Sequence, residues 1–286
     1  MPNIEMRFNR DILTMSSPIE TYLSNDGFDF LNEAEYLSFT DAESIKDAYC
    51  LQKSALVPCF VTHLPNLNWL RLAQIGMQDD APMLAKLNIE LAGFHKPQHL
   101  IVESRCPDFA FDPNSKASTV QFSDEYKKFA EMFNPFEFDA YLLNKFSATT
   151  QADIAITTLK KYSDKPVFMS ISIDENLLSA SGESLDEIVD YYSSCSADVV
   201  GFELAASAEL TKQIFDNLRA ACEVPLMAQI FVSSEKDSSY YSPSSMMQIA
   251  DVLKNCGVQF ARACGEARPS HAGALSAMLN GQDVVV

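Results

Sequence analysis

The sequence lacks any long apolar run and is poor in basic residues. No stretch approaches the roughly 20 apolar residues that a transmembrane helix needs. Residues 1–10 carry charges without an apolar segment, so no signal peptide is predicted. Lys and Arg total 21 against 39 Asp and Glu, which gives a formal net charge of −18. Nucleic acids and anionic membrane surfaces would repel such a chain, so we expect neither as a partner.

Closely spaced cysteine pairs are also missing. Seven cysteines are present, and no two of them have the C-x-x-C spacing. Their odd number, in a chain of 286 residues, is typical of reduced thiols rather than of a disulfide framework. We therefore expect a cytoplasmic location.

Glycine is scarce, and no G-x-G-x-x-G motif occurs. Only nine glycines among 286 residues leave few positions for tight loops whose backbone binds a ligand. This scarcity weakly favours a binding protein over an enzyme. The first predicted strand is followed by Ser16, Ser17 and Pro18, where a doubly wound nucleotide-binding sheet would need a glycine-rich turn.

Short apolar runs alternate with amphipathic stretches along the whole chain. Strands are predicted at 11–15, 57–63, 99–106, 139–144, 167–173, 198–204, 226–231 and 257–265. Helices are predicted at 40–56, 67–75, 82–92, 123–133, 148–162, 184–192, 207–221, 244–255 and 269–279. Several strands are continuously apolar, as parallel strands buried on both faces are. Eight strand-helix units predict a single (β/α)8 TIM barrel over residues 1–286, in preference to the doubly wound sheet.

Five segments carry a family resemblance that spans nearly the whole chain. They are residues 16–23 (SSPIETYL), the set Trp69, Ala73 and Gly76, residues 170–185 (SISI…LL…SGESL), residues 200–204 (VGFEL), and residues 257–271 (GVQFARACG…PSH). Together they resemble the homocysteine S-methyltransferase family, in which the matching motifs read DGGIET, W/R-x-x-A/L-x-x-G, S-F-T-V…S-G-x-S/T-L, VGxNC and GGCCG-T-x-P-x-H. The resemblance implies the same barrel.

The resemblance also implies a zinc centre and an amino-acid acceptor. Three thiolates, one from the sixth strand and two from the eighth, would hold zinc with an open fourth position. The metal would keep an acceptor thiol deprotonated for attack on a methyl group. Carboxylates at the ends of the first and fourth strands would hold the acceptor's amino group.

This sequence departs from the implied pattern at most of these positions. Leu204 and Ala263 stand where two of the zinc cysteines are expected, and only Cys264 remains. Ser16 and Asn144 replace the two carboxylates. One thiolate does not make a stable tetrahedral zinc site, so we predict no cofactor, although the resemblance allows zinc.

Three residues are candidates for catalysis, and each has a simpler structural alternative. Cys264 would be a nucleophile if a neighbouring cation lowered its pKa, or else a buried thiol. His63 would be a general acid or base, or a hydrogen-bonded structural histidine. Glu203 lies at the end of the sixth strand. A substitute metal site of these three with Glu266 is disfavoured, because the second and sixth strands are nearly opposite in an eight-stranded barrel.

The substrate-binding candidates are the polar residues at the strand ends, namely Ser16, Ser17, Thr21, Asn144 and Arg262. Arg262 stands where the family has glycine. It either pairs with Glu203, Glu266 or Glu103, filling the place of the lost metal, or binds a carboxylate or phosphate ligand.

Two functions follow from these residues. The resemblance implies methyl transfer to a thiol or another small acceptor. Because only one of the three expected zinc ligands is present, this transfer would use altered chemistry. The alternative is a non-catalytic relative that binds a small-molecule ligand or a protein partner.

Overall fold

A closed barrel of eight parallel strands forms the centre of the molecule. The computed structural model describes residues 3–25, 27–108, 110–205, 207–233 and 243–280. Within these ranges the strands pair in sequential order, and β1 also pairs with β8. They are β1 Leu13–Met15, β2 Cys59–Val61, β3 His99–Arg105, β4 Ala140–Phe146, β5 Val167–Ile173, β6 Val199–Leu204, β7 Leu226–Val232 and β8 Val258–Gly265. The predicted TIM barrel is confirmed.

Helices surround the barrel on its outer side. They are α1 Glu20–Asn25, α2 Phe30–Thr40, α3 Ala42–Ser54, α4 Trp69–Gln74, α5 Ala81–Gly93, α6 Lys116–Phe133, α7 Thr149–Tyr162, α8 Leu185–Ser194, α9 Ala208–Ala221, α10 Pro243–Asn255 and α11 Pro269–Leu279. Two 3-10 helices, Ile4–Arg7 and Gln78–Asp80, complete the described helical segments. None of the described helices combines the length and apolar character that a lipid bilayer crossing requires.

The structure corrects the prediction between the first two strands. The sequence predicts a loop up to residue 28, but α1 lies inside that segment and α2 follows it. Asp41, rather than Thr40, caps α3, since its Oδ1 accepts a hydrogen bond from the Ser44 backbone N–H at 3.2 Å. Most of the serine-rich loop predicted before residue 243 lies outside the described residues.

Side chains alternate between two apolar layers. The strand residues of the inner layer are Leu13, Met15, Cys59, Val61, Ile101, Ala140, Leu142, Phe168, Val199, Met227 and Phe260. The apolar strand residues between them in sequence pack outward against the helices. The 3-10 helix Ile4–Arg7 closes the amino end of the barrel, where Ile4 is fully buried. Next to it, the ring of Phe8 lies 5.8 Å from that of Phe260. The apolar inner layer therefore fills the amino-terminal half.

Candidate functional site

A layer of polar side chains lies directly above the apolar inner layer. Each member follows an inner-layer residue by two positions, so its side chain also points into the barrel. The members are Glu103 on β3, Asn144 on β4, Ser170 on β5, Gln229 on β7 and Arg262 on β8, and all of them are buried. Gly201 is the corresponding residue on β6. An added Cβ there would lie 1.7 Å from the Met227 carbonyl oxygen, so β6 and β7 approach too closely for any side chain.

Arg262 forms a buried ion pair at the centre of this polar layer. Its Nη1 lies 2.9 Å from Oε2 of Glu103. Its Nε donates to the Ser16 carbonyl oxygen at 2.9 Å, and Nη1 also donates to Oε1 of Gln229 at 3.2 Å. Of the three acidic partners expected from the sequence, the structure places Glu103 against Arg262. Burial opposes ionisation of Glu103, but Arg262 and Arg105 outweigh it and lower the pKa of the carboxyl group.

Asn144 and Gln229 complete the hydrogen bonds around the ion pair. Asn144 Nδ2 donates to Oε1 of Glu103 at 2.8 Å, and its Oδ1 accepts from Gln229 Nε2 at 2.7 Å. Gln229 Nε2 also donates to the Ser170 hydroxyl at 2.8 Å. A buried polar network is stabilising when all of its members have partners. These residues together are called the Arg262 network below.

Little space is left beside the Arg262 network. The cavity lined by Arg262, Glu103, Thr62, His63 and Tyr49, among others, has a volume of about 10 Å³. That is room for about one water molecule, whereas ligand sites span about 300–1,000 Å³. This part of the barrel is filled by the protein's own side chains.

The three substrate-binding candidates after β1 are all bound to other parts of the chain. Ser16 Oγ accepts from the Val61 backbone N–H at 2.9 Å. Ser17 Oγ accepts from Gln52 Nε2 on α3 at 2.7 Å. Thr21 Oγ1 donates to the Gly265 carbonyl oxygen at 3.2 Å. Their polar atoms tie β1 and α1 to neighbouring elements.

His63 lies behind the barrel wall rather than inside it. Its Nε2 is 3.0 Å from the Ser38 hydroxyl on α2, and its ring meets that of Tyr49 edge-on. Burial lowers the pKa of His63 to about 3. The imidazole is therefore neutral at physiological pH, which does not suit a general acid.

His63 should make the protein sensitive to mild acid. A histidine has a pKa of 6.5 in the unfolded chain, so below that value only the unfolded state takes up the proton. The contribution of the neutral His63 to the free energy of unfolding is therefore fully present above pH 6.5 and is lost as the pH falls toward 3. Between pH 7.5 and 5 we expect His63 to contribute about 2 kcal/mol of this loss.

Urea unfolding across this pH range tests the expectation with the variant His63→Gln. The variant should lose about 2 kcal/mol less than the wild type between the two pH values. His95→Gln, at a half-buried position on the surface, controls for removal of an imidazole. Identical pH dependence in the wild type and His63→Gln would contradict a buried neutral His63.

Cys264 and Glu203 lie next to each other above the polar layer. Burial raises the pKa of the Cys264 thiol well above its ordinary value, and the neighbouring Glu203 carboxylate adds to the effect. Arg262 and Lys145 act in the opposite direction but do not offset it. A thiol that stays protonated is a poor nucleophile at neutral pH.

Lys145 interrupts the regular alternation of β4. Its φ is +56°, and the pairing of β4 with β5 shifts register between Leu143 and Phe146. Alternation alone would turn the side chain toward the outer helices, whereas a solvated lysine is the default expectation for this residue type, and the lysine is exposed.

Sequence reasoning missed Gln229 and Ser170 as parts of the site. Both are polar residues inside otherwise apolar strands, two positions after an inner-layer residue. That spacing is a usable signal, because a polar side chain facing the barrel interior needs a partner there.

Known structures with a similar fold include a methyltransferase. No protein-family model matches the chain, and no curated protein sequence matches it. The metallated form of homocysteine methyltransferase MmuM from Escherichia coli superposes with a TM-score of 0.75 at 16% identity, over 94% of this chain and 96% of that one. Its oxidized form gives a TM-score of 0.74 at 17% identity, with the same coverage. The chain has the fold of homocysteine methyltransferase.

A more distant likeness joins the chain to a second enzyme. The carboxyl transferase domain of Rhizobium etli pyruvate carboxylase gives a TM-score of 0.53 at 11% identity, over 99% of this chain and 50% of that one. At such identity this likeness concerns the barrel fold.

The residues of this chain do not fit the zinc centre that the family resemblance implies. Leu204 packs in the apolar layer outside the strands, and Ala263 also belongs to that layer. Cys264 is the remaining thiol of the three, and one thiolate does not make a stable tetrahedral zinc site. Among the described residues, no group of three or more His, Cys, Asp or Glu side chains is placed to hold a metal ion.

Proposed function

We propose that this chain is a non-catalytic relative of homocysteine methyltransferase, whose barrel mouth binds a small ligand without transferring a methyl group. The observation that carries the proposal is the ion pair between Arg262 and Glu103, at 2.9 Å. It lies in the polar layer just below the strand ends, where barrel enzymes place their chemistry. The cavity beside it has a volume of about 10 Å³, so an acceptor does not fit at the level of the ion pair.

The electrostatics of the mouth support the same proposal. Zinc-dependent transfer needs a set of thiolate ligands, yet Leu204 and Ala263 stand at two of the three positions that the resemblance implies. It also needs a group that holds the acceptor's ammonium, yet Asn144 is engaged with Glu103 and Gln229. The two requirements fail for independent reasons.

A methylation assay tests the proposal directly. The purified protein is incubated with zinc, homocysteine and a labelled methyl donor of the sulfonium, quaternary ammonium or methylcorrinoid class. The homocysteine methyltransferase MmuM from Escherichia coli serves as the positive control. We expect no methylated homocysteine above the protein-free blank with any donor. Turnover that a zinc chelator or the variant Cys264→Ser abolishes would overturn the proposal.

Methyl transfer by altered chemistry is the second candidate function. The adjacent polar side chains of Glu203 and Cys264 favour it, because a purely structural barrel would more simply have apolar residues there. In the same assay, methylation of an acceptor other than homocysteine would support this candidate. The discriminating variant is Glu203→Gln, which keeps the shape of the side chain and removes its charge.

A further inference from the structure

Two buried polar atoms at the carboxyl ends of β5 and β6 have no hydrogen-bond partner among the described residues. They are Oε2 of Glu203 and Oγ of Ser172. Glu203 is 7% exposed. The two residues are paired in register on adjacent parallel strands, so their side chains lie side by side on one face. A buried polar atom without a partner costs about 1–3 kcal/mol, and a ligand that supplies donors to both would remove that cost.

The charges around Glu203 are also unbalanced. Arg105 is engaged by Glu20 at 2.8 Å, and Arg262 is engaged by Glu103 at 2.9 Å. Within the described part of the chain, no Lys, Arg or His nitrogen lies within 4.0 Å of the Glu203 carboxylate. Lys145 is near enough to act on Cys264, but it is exposed and forms no such ion pair.

We propose that Glu203 and Ser172 form a binding site for the primary ammonium group of a small molecule. An ammonium group carries three hydrogen-bond donors and one positive charge. One donor satisfies Oε2 of Glu203, a second satisfies the Ser172 hydroxyl oxygen, and the charge neutralises the buried carboxylate. A neutral hydroxyl ligand supplies one donor and no charge, so it is the weaker fit.

The neighbouring residues limit what the rest of the ligand can be. The space below the site is occupied by the Arg262 network, so the ligand's remaining atoms extend toward the strand ends. The Cys264 thiol lies beside Glu203 and is hydrogen-bonded to its carboxylate. The site binds and does not react. This inference rests on the proposed function, because it names the ligand class of the same barrel mouth.

Binding of simple amines tests the site. The probes are primary alkylamines from methylamine to n-hexylamine at pH 7, each compared with the alcohol of equal chain length. Thermal unfolding and calorimetric titration of the full chain provide the readouts. We expect at least one amine to raise the unfolding midpoint with saturation, and its matched alcohol to have at least tenfold weaker affinity.

Two variants assign the binding to these residues. Glu203→Gln should weaken amine binding at least tenfold, and its ligand-free unfolding midpoint should rise because a buried unpaired charge is removed. Ser172→Ala, which removes only the hydroxyl, should weaken amine binding severalfold. It is the variant that tests the site if Glu203→Gln does not fold. Glu209→Gln, at an exposed position on α9, removes the same charge and should bind as the wild type does.

Two results would overturn the inference. One is that no amine binds more tightly than its matched alcohol. The other is that Glu203→Gln and Ser172→Ala both bind amines as the wild type does. Neither result affects the methylation assay, so failure of the ammonium site and failure of the non-catalytic proposal are distinguished by separate measurements.

Discussion

Replacing Arg262 by methionine should lower the free energy of unfolding by about 3–5 kcal/mol, because it leaves Glu103 buried without its closest cation. Methionine has a similar length and is apolar, so the loss reflects the charge rather than an empty space. Nε of Arg105 lies 3.6 Å from Oε1 of Glu103, but this arginine is also paired with Glu20. Arg105 therefore neutralises the Glu103 charge only in part when Arg262 is removed. Urea unfolding at pH 7 measures the effect.

The double variant Arg262→Met with Glu103→Met isolates the ion pair. Removing both charges should recover at least half of the stability lost in the single Arg262→Met variant, since neither charge then stays buried alone. Arg10→Met, at an exposed position, is the control for loss of an arginine and should change stability little. A double variant no more stable than Arg262→Met alone would contradict the pairing of Arg262 with Glu103.

Replacing Gln229 by methionine should cost about 3 kcal/mol, the second largest effect that we expect. Its amide accepts from Arg262 and donates to Asn144 and Ser170, so one substitution leaves three buried polar groups short of a partner. Each such group costs about 1–3 kcal/mol, with partial relief from rearrangement. Thermal and urea unfolding report the loss.

Gln259 on β8 provides a matched control for this prediction. It is only partly buried, and within the described ranges its Oε1 has no hydrogen-bond partner. Gln259→Met should therefore leave stability unchanged or raise it slightly. Equal destabilisation by the two substitutions would mean that Gln229 matters for its size rather than for its hydrogen bonds.

The barrel could be predicted from the sequence because it depends on local patterns. Continuously apolar strands and caps such as Ser184, which forms a capping box with Glu187, are encoded within short segments. The segments α1 and α2 escaped prediction for a similar reason. The first has six residues, and the apolar residues of the second are weakly segregated to one face, so neither gives a clear helical pattern.

The contacts within the site could be predicted only in part. The sequence identified Arg262 as the unusual residue. Its pairing with Glu103, however, depends on which residues of the different strands lie at the same height along the barrel axis. That height is set by the stagger of eight strands, which no local pattern contains. Gln229 was missed although its position, two residues after an inner-layer residue, is a local signal; only its partners depend on the stagger.

The family resemblance and the geometry of the mouth lead to a consistent picture. The chain has the fold of homocysteine methyltransferase, and within its own barrel β6 and β7 approach closely at Gly201. A guanidinium group now lies beside the position expected for a metal ion, and a carboxylate on β3 neutralises it. The barrel's centre is therefore held together by hydrogen bonds and one ion pair among its own side chains.

Metal analysis of the purified protein is the most direct test of this account. The protein is produced in zinc-supplemented medium, purified without chelators, and analysed by plasma mass spectrometry, together with Escherichia coli MmuM as the metal-binding control. The account predicts zinc far below one ion per chain, and no further loss of zinc in Cys264→Ser. Stoichiometric zinc that disappears in Cys264→Ser would contradict it.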